Sequence, residues 1–393
     1  MEDLQKEINI QRRELGIAVV GAGRMGSQRA SVAATHPAVR FLAVSDIDPA
    51  RARAVGEKVH AHFTSGDNLE VISHPDVNAV IVSTPEGEHT AAVLQALRLG
   101  KPVLVEKPIA LSLEDANQIV EAVNKEGGDL FVGYTKRFTR SYVLAKEYIS
   151  RGCLGQTLGA TTRVYNSRAQ AFQILKRSAH ATPVLDVLTY YVDLVCWFLE
   201  GNEPVEVIAR GQKGVFKAAG YSADDVTWAI VTFADGAIVN LGVDYALPEK
   251  YPCLGQSPRM EILGTEGVIF LDEEHKEHII YTNRGLSHGY VPGHEVNMAF
   301  LGTSSSGDFA LGDFWGPQAD ETRSWLDYLS CGRPCILPRA ADGRRTLEVT
   351  LAIEKAAKTR QTVTLPLGSV PIVENGSSAC SKRWKNSGPR RRF

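Results

Sequence analysis

Residues 16–26 read GIAVVGAGRMG, an apolar run followed by Gly21, Gly23 and Gly26 in GxGxxG spacing and then by a stretch of helical period from Arg24. Such a pattern sets a tight turn between a strand and a helix. Glycines are needed there because the backbone must turn sharply and approach a pyrophosphate, which sits at the positive end of the helix dipole. The turn Gly21, Gly23, Arg24, Met25 and Gly26 is therefore read as cofactor-binding. About 20 residues past the last glycine, as the dinucleotide fingerprint expects, Asp46 follows the run FLAVS and can accept hydrogen bonds from a ribose diol. A carboxylate there repels the 2'-phosphate of NADP, so NAD is the expected cofactor. Arg51 and Arg53 in DPARARAV follow closely and would offset that repulsion, which keeps NADP as the lesser alternative to NAD, but they are read first as a solvated helix face. Asp48, ahead of Pro49, is the better candidate for the helix N-cap.

Outward from this motif, short apolar runs alternate with helix-period segments as far as Gly133. The strands are read as GIAVV, FLAVS, AVIVS, PVLVE and DLFVG, and the helices as RMGSQRASVAA, DPARARAVGEKV, HTAAVLQALRLG and SLEDANQIVEAVNKEG. This rhythm predicts a doubly wound parallel sheet over residues 15–137. Beyond Arg140 come a helix over Tyr142–Arg151 and the alternating runs ATTRVYN, VEVIARGQ, DVTWAIVTF, GAIVNLGVDY and GVIFL. Two helices, VLDVLTYYVDLVCWFL and RTLEVTLAIEKAAK, accompany them. The expectation for 138–367 is an α/β domain with a large, mostly antiparallel open sheet, used for substrate binding and oligomerisation. Residues 1–14 are read as a charged arm and 368–393 as a disordered basic tail. GLSHGYVPGHE and SSSGDFALGDFWGP are expected to be long polar loops.

The chain has 393 residues, 44% hydrophobic and 22% charged, with a formal net charge of -2, so nothing global draws it to nucleic acid or to an anionic membrane. The six cysteines show neither a CxxC pair nor zinc-ligand spacing. No metal is expected. Reduced thiols, the absence of a signal-like apolar start and the lack of a membrane-length apolar run lead to the expectation of a cytoplasmic protein.

VLVEKP supplies Glu106, Lys107 and Pro108 at the end of a strand; STPEGEH supplies Ser83, Thr84, Pro85 and His89; and one apolar helix carries Asp186, Tyr190 and Asp193. In these motifs the chain resembles the Gfo/Idh/MocA oxidoreductases, the group of glucose-fructose oxidoreductase and inositol dehydrogenase, from Gly16 to about Leu367. The resemblance implies that Ser83, Thr84, Pro85, His89 and Glu106 border the cofactor and that Lys107 stands beside the nicotinamide and the substrate hydroxyl. It also implies a cis peptide at Lys107–Pro108. A lysine at the carboxyl end of a parallel strand lies in the ligand crevice on general grounds too, where it would stabilise developing alkoxide charge.

Asp186, Tyr190 and Asp193, at i, i+4 and i+7, share one face of a regular helix. Asp193 is read as bracing that helix. Most members of the group carry a catalytic histidine where this chain has Tyr190; glucose-fructose oxidoreductase and dimeric dihydrodiol dehydrogenase are similar in having tyrosine. A phenol serves as acid-base if a neighbouring cation brings its pKa down from about 10. The expected mechanism is proton removal by Tyr190 assisted by Lys107, with Asp186 orienting the substrate; His180 is the rival proton carrier.

For the substrate pocket the candidates are Tyr134, Lys136, Arg137 and Arg140 in GYTKRFTRSY and Arg163, Tyr165, Asn166 and Arg168 in the next strand region. Strand alternation places Arg163 and Tyr165 on one face and Asn166 on the other. So many guanidinium groups suit a carboxylate, and the resemblance implies a ring hydroxyl. The substrate is thus expected to be a small cyclic alcohol, with or without a carboxylate: a sugar, a cyclitol or a carboxylated aromatic cis-dihydrodiol. Homodimers or homotetramers are expected to form through the open sheet. Two other functions stay open: a redox-neutral enzyme that retains its NAD while modifying a sugar, and a nucleotide-sensing regulator without catalysis.

Overall fold

The computed structural model describes residues 13–177, 182–252, 256–273, 279–287, 293–300, 307–310 and 313–368. The arm expected over 1–14 lies outside them except for its last two residues, and the tail expected over 368–393 except for its first.

The first domain is a six-stranded parallel sheet flanked by helices. In chain order it runs β1 (Leu15–Val20), α1 (Arg24–Thr35), β2 (Val39–Ser45), α2 (Pro49–Val59), β3 (Phe63–Ser65), α3 (Asn68–Ser73), β4 (Ala79–Val82), α4 (His89–Arg98), β5 (Val103–Glu106), α5 (Leu113–Glu126) and β6 (Leu130–Gly133). Every residue of β1, β4, β5 and β6 is buried, as expected of strands covered by helices on both faces. Spatial order is β3-β2-β1-β4-β5-β6. The chain moves outward from β1 to β3 and then returns to β4, so a crevice opens beyond the carboxyl ends of β1 and β4. Asp48 caps α2, accepting from the Ala50 and Arg51 amides, and Ser112 caps α5. The short β3 and α3 escape the sequence reading because each is too brief to show a period.

The second domain is built on a seven-stranded sheet. Its elements are α6 (Arg140–Ser150), β7 (Thr157–Ser167), α7 (Arg168–Arg177), α8 (Thr189–Phe198), β8 (Pro204–Gln212), α9 (Val215–Ala218), β9 (Val226–Phe233), β10 (Ile238–Leu247), β11 (Ser257–Gly264) and β12 (Val268–Asp272). Two hairpins follow, β13 (Ile279–Ser287) with β14 (Glu295–Phe300) and β15 (Asp308–Ala310) with β16 (Asp313–Trp315), then α10 (Pro317–Cys331), α11 (Ala340–Thr359) and β17 (Val363–Thr364). Sheet order is β12-β11-β7-β10-β9-β8-β17, antiparallel except for the parallel pair β7–β10. The expected mostly antiparallel open sheet is present. The two segments expected to be loops in fact supply strands of the hairpins: glycine and serine content masked an alternation that is enough to pair.

α8 and α11 pack on the inner face of this sheet, while Trp228, Ile230, Ile238 and Phe270 stand exposed on the outer one. The chain also returns to the first domain: Trp325 and Leu326 of α10 and Leu337 share a core with Ile17, Val19 and Phe131. Among the described residues no helix is long and apolar enough to cross a membrane.

Candidate active site

The glycine turn is shaped by three different constraints. Gly21 has φ +92°, and a Cβ there would lie 2.6 Å from the Ser83 carbonyl oxygen; a Cβ on Gly26 would lie 1.8 Å from the Gly21 carbonyl oxygen. These two glycines make the turn and its packing possible. Gly23 differs: its Cβ would meet no described atom within 4 Å, so its side faces open space. No side chain caps α1 at Gly23, leaving the first helical amides for an anion. Across the crevice, Ser83 Oγ and Thr84 Oγ1 are buried without a hydrogen-bond partner among the described residues. An open glycine face opposite orphaned hydroxyls fits a dinucleotide, as the NAD expectation requires. Arg24 and Met25 lie in the first turn of α1, and Pro85 follows the hydroxyl pair.

Asp46 is fastened at the end of β2. Its Oδ2 accepts from the Ala22 amide at 2.8 Å and its Oδ1 from the Asp48 amide at 3.0 Å. His89 was expected to border the cofactor, but its ring is buried between loops, at 3.1 Å from the Thr84 oxygen and 3.0 Å from the Pro108 oxygen. Burial pushes its pKa down. It staples the two loops from behind. Glu106 likewise turns away from the crevice: it receives the Arg29 Nε at 2.6 Å.

Lys107 extends from the end of β5, and its peptide to Pro108 is cis. Its Nζ donates to the Asp186 carbonyl oxygen at 2.7 Å, lies 3.4 Å from Asp186 Oδ1, and stands 4.9 Å from the centroid of the Tyr190 ring. Tyr245 of β10 donates to Asp186 Oδ2 at 2.5 Å. Lys107, Asp186 and Tyr190 therefore come together, as the motifs suggested, with Tyr245 as a member the sequence reading missed. A tyrosine in an alternating strand carries no signal of its own.

The helix bearing Asp186 is not regular. Residues Val184–Leu188 form a π-helical turn before α8 begins, a feature often found at functional sites. The extra residue per turn breaks the expected single face. Asp193 points elsewhere and pairs with Arg137, Nε to Oδ2 at 2.7 Å and Nη2 to Oδ1 at 2.8 Å. Arg137 was expected on the substrate; instead it is buried, fully engaged by Asp193 and the Ile336 carbonyl. A buried guanidinium needs such a partner.

Tyr134 is also buried. Its ring meets that of Tyr190 edge-on at 6.0 Å, and its hydroxyl lies 3.1 Å from Thr189 Oγ1. Burial, helped by Asp193, raises its pKa far above the usual phenol value, so it remains protonated. Arg163 and Tyr165 stack on one another at 4.3 Å. Tyr165 pairs with Asp244 across β7 and β10, so these residues share the face opposite to Tyr245 and point away from Asp186. Arg140 is exposed at the start of α6, and Lys136 is held by Glu273 at 2.9 Å. The guanidinium cluster expected for a carboxylate is thus dispersed. Asn166, on the face of Tyr245, is completely buried, and both its amide oxygen and nitrogen lack partners among the described residues. His180 lies outside the described residues.

Residues 15–134 match the family model described as the oxidoreductase family, NAD-binding Rossmann fold, and residues 142–270 match the GFO/IDH/MocA C-terminal domain. The chain is 31% identical to inositol 2-dehydrogenase 1 of Saccharopolyspora erythraea, covering 91% of this chain and 98% of that protein. It is 26% identical to the myo-inositol 2-dehydrogenase of Thermotoga maritima, over 89% of this chain and 98% of that one. Among solved structures, scyllo-inositol dehydrogenase of Lactobacillus casei, with bound NAD(H) and scyllo-inositol, superposes with a TM-score of 0.72 at 22% identity, covering 90% of this chain and 99% of that chain.

Proposed function

The chain belongs to the GFO/IDH/MocA oxidoreductase family, and from that membership we propose that it is an NAD-dependent dehydrogenase oxidising a secondary hydroxyl of a cyclitol or a related ring polyol. The observation that carries the reading is the meeting of Lys107, Asp186 and Tyr190 at the carboxyl end of β5, beside the glycine crevice. When bound, the nicotinamide supplies the hydride acceptor. The protein supplies the rest. Lys107 polarises the substrate hydroxyl and stabilises the oxygen as negative charge develops. Tyr190, beside that cation, takes the hydroxyl proton at its phenolic oxygen. Asp186, held by Tyr245, keeps Lys107 and the substrate in register.

A polyol is favoured over a carboxylated dihydrodiol because Arg137 is consumed by Asp193 and Arg163 faces the other side of the sheet. Asn166 offers one acceptor and two donor hydrogens, which suits ring hydroxyls. The names of the inositol dehydrogenases to which the chain is similar point the same way. The exposed apolar residues of the outer sheet face support a homo-oligomer.

The test is NADH absorbance on incubation of the protein and NAD with myo-inositol, scyllo-inositol, aldose sugars and carboxylated cis-dihydrodiols, with Lys107→Ala and Tyr190→Phe alongside. NADH formed from a cyclitol, and lost in both variants while NAD still binds, is the expected result. Binding of NAD without turnover of any ring polyol would replace this reading with the redox-neutral or sensing one.

A further inference from the structure

Tyr134, read from the sequence as a substrate residue, packs instead against Tyr190. It follows β6 directly, and β6 pairs with β5 so that Gly133 lies opposite Glu106. Tyr134 and Lys107 therefore leave the first domain from neighbouring strand ends, and both side chains reach the same ring of the second domain. Lys107 Nζ stands 4.9 Å from the centroid of the Tyr190 ring, and the Tyr134 ring meets it edge-on, with centroids 6.0 Å apart and planes at 88°. Perpendicular rings at this spacing are a favoured aromatic geometry, so the contact selects one mutual orientation.

The Tyr134 ring is itself anchored. Its hydroxyl lies 3.1 Å from Thr189 Oγ1, which lies 3.3 Å from Thr350 Oγ1 of α11, and Thr350 donates to the Thr346 carbonyl oxygen at 2.7 Å. Each hydroxyl carries one hydrogen, and a carbonyl oxygen only accepts. Thr350 therefore gives its hydrogen to Thr346, Thr189 donates to Thr350, and Tyr134 donates to Thr189. This one-way chain makes Tyr134 an anchor rather than a proton carrier. Thr189 and Tyr190 open α8 directly after the π turn, and the Thr189 amide bonds back five residues to the Val184 carbonyl. Regular helix bonding is interrupted there, so the Tyr190 ring depends on its packing for its orientation. We propose that Tyr134 is a positioning residue, which holds the Tyr190 ring against the Lys107 ammonium from the first domain. Its consequence for catalysis rests on the function proposed above; the positioning itself does not.

NMR of protein isotope-labelled at tyrosine Cζ tests the positioning without turnover. The Tyr190 signal is identified by its loss in Tyr190→Phe. Removing the ammonium with Lys107→Ala is expected to shift that signal in the otherwise wild-type protein, and to shift it much less in Tyr134→Leu, where the ring has left Lys107. Tyr134→Phe keeps the ring and loses the anchor, and Thr189→Val removes the anchor's acceptor; each is expected to give an intermediate shift. With a cyclitol that is turned over, kcat of Tyr134→Leu falls about tenfold or more, while KM and the Kd for NADH stay within about threefold. Tyr134→Phe recovers most of that loss. A full Lys107→Ala shift in Tyr134→Leu overturns the proposal, as does the lack of any such shift in the wild-type background. Should Tyr134→Leu not fold, full shifts in both Tyr134→Phe and Thr189→Val overturn it. A diminished shift with unchanged kcat would uphold the positioning and remove Tyr190 from the chemistry, so failure of the proposed function is distinguished from failure of this inference.

Discussion

Tyr245 donates its phenolic hydrogen to Asp186 Oδ2 across 2.5 Å, joining the inner face of the second domain's sheet to the carboxylate that meets Lys107. Hydrogen bonds to a charged group contribute about 1.5–3 kcal/mol. Tyr245→Phe removes this one and leaves Asp186 free to swing from Lys107. The expected outcome is a fall in kcat of roughly tenfold to a hundredfold, with NAD affinity unchanged. Steady-state kinetics beside NAD titration checks it; a kcat within about twofold of wild type would remove Tyr245 from the site.

A second prediction concerns Glu321 on α10. It is fully buried, with Arg29 Nη2 at 3.3 Å and the Thr135 hydroxyl donating at 2.7 Å, and Arg29 in turn holds Glu106 beside Lys107. Burial pushes the Glu321 carboxyl up to about 7 from the usual 4.5; Arg29 opposes the rise and Glu106 adds to it. Its pKa is higher folded than unfolded, so the native state binds more protons between those values. Stability is fully present below the unfolded value and falls as pH rises through the folded one. Glu321→Gln abolishes this titration. Thermal melts from about pH 5 to pH 8 should therefore decline less steeply for the variant than for wild type; equal slopes would show that Glu321 is ionised throughout.

The glycine turn and Asp46 could be read from local backbone geometry, a strand, a turn and a helix in immediate succession, whereas Lys107 stood out chiefly through the EKP motif of the family the chain resembles. The roles of Arg29, Glu321 and Tyr245 were not, because their partners lie far away in sequence, as with Arg29 and Glu106, 77 residues apart. Arg137 was misplaced for the same reason: a charged residue near a cleft reads as a ligand until the structure supplies Asp193. The π turn at Val184–Leu188 defeated periodicity itself, since a face drawn at 3.6 residues per turn no longer holds across it.

Arg137 and Asp193 give a third prediction. Removing one member of a buried pair strands the other charge and costs about 3–5 kcal/mol. Arg137→Lys keeps a charge but loses the two-pronged contact. It is expected to lower the urea midpoint while leaving the substrate KM within about twofold. A large rise in KM without loss of stability would return Arg137 to the substrate pocket.

Gly23 and Gly26 separate cofactor contact from packing within one motif. Gly23 has φ -67° and ψ -168°, which alanine tolerates, and its Cβ would enter space free of described atoms. Gly23→Ala should therefore fold with a melting temperature close to wild type, while its methyl intrudes where the dinucleotide backbone approaches. Crowding of that kind costs about 1–3 kcal/mol, on the order of tenfold to a hundredfold in the Kd for NADH. Gly26→Ala places its methyl against the Gly21 carbonyl oxygen, at 1.8 Å before relaxation, so it must displace the turn itself. Its melting temperature should fall together with NADH affinity. Comparing the two variants by calorimetry and NADH titration distinguishes the roles, because a Gly23→Ala protein that binds NADH as tightly as wild type would place the pyrophosphate away from this turn.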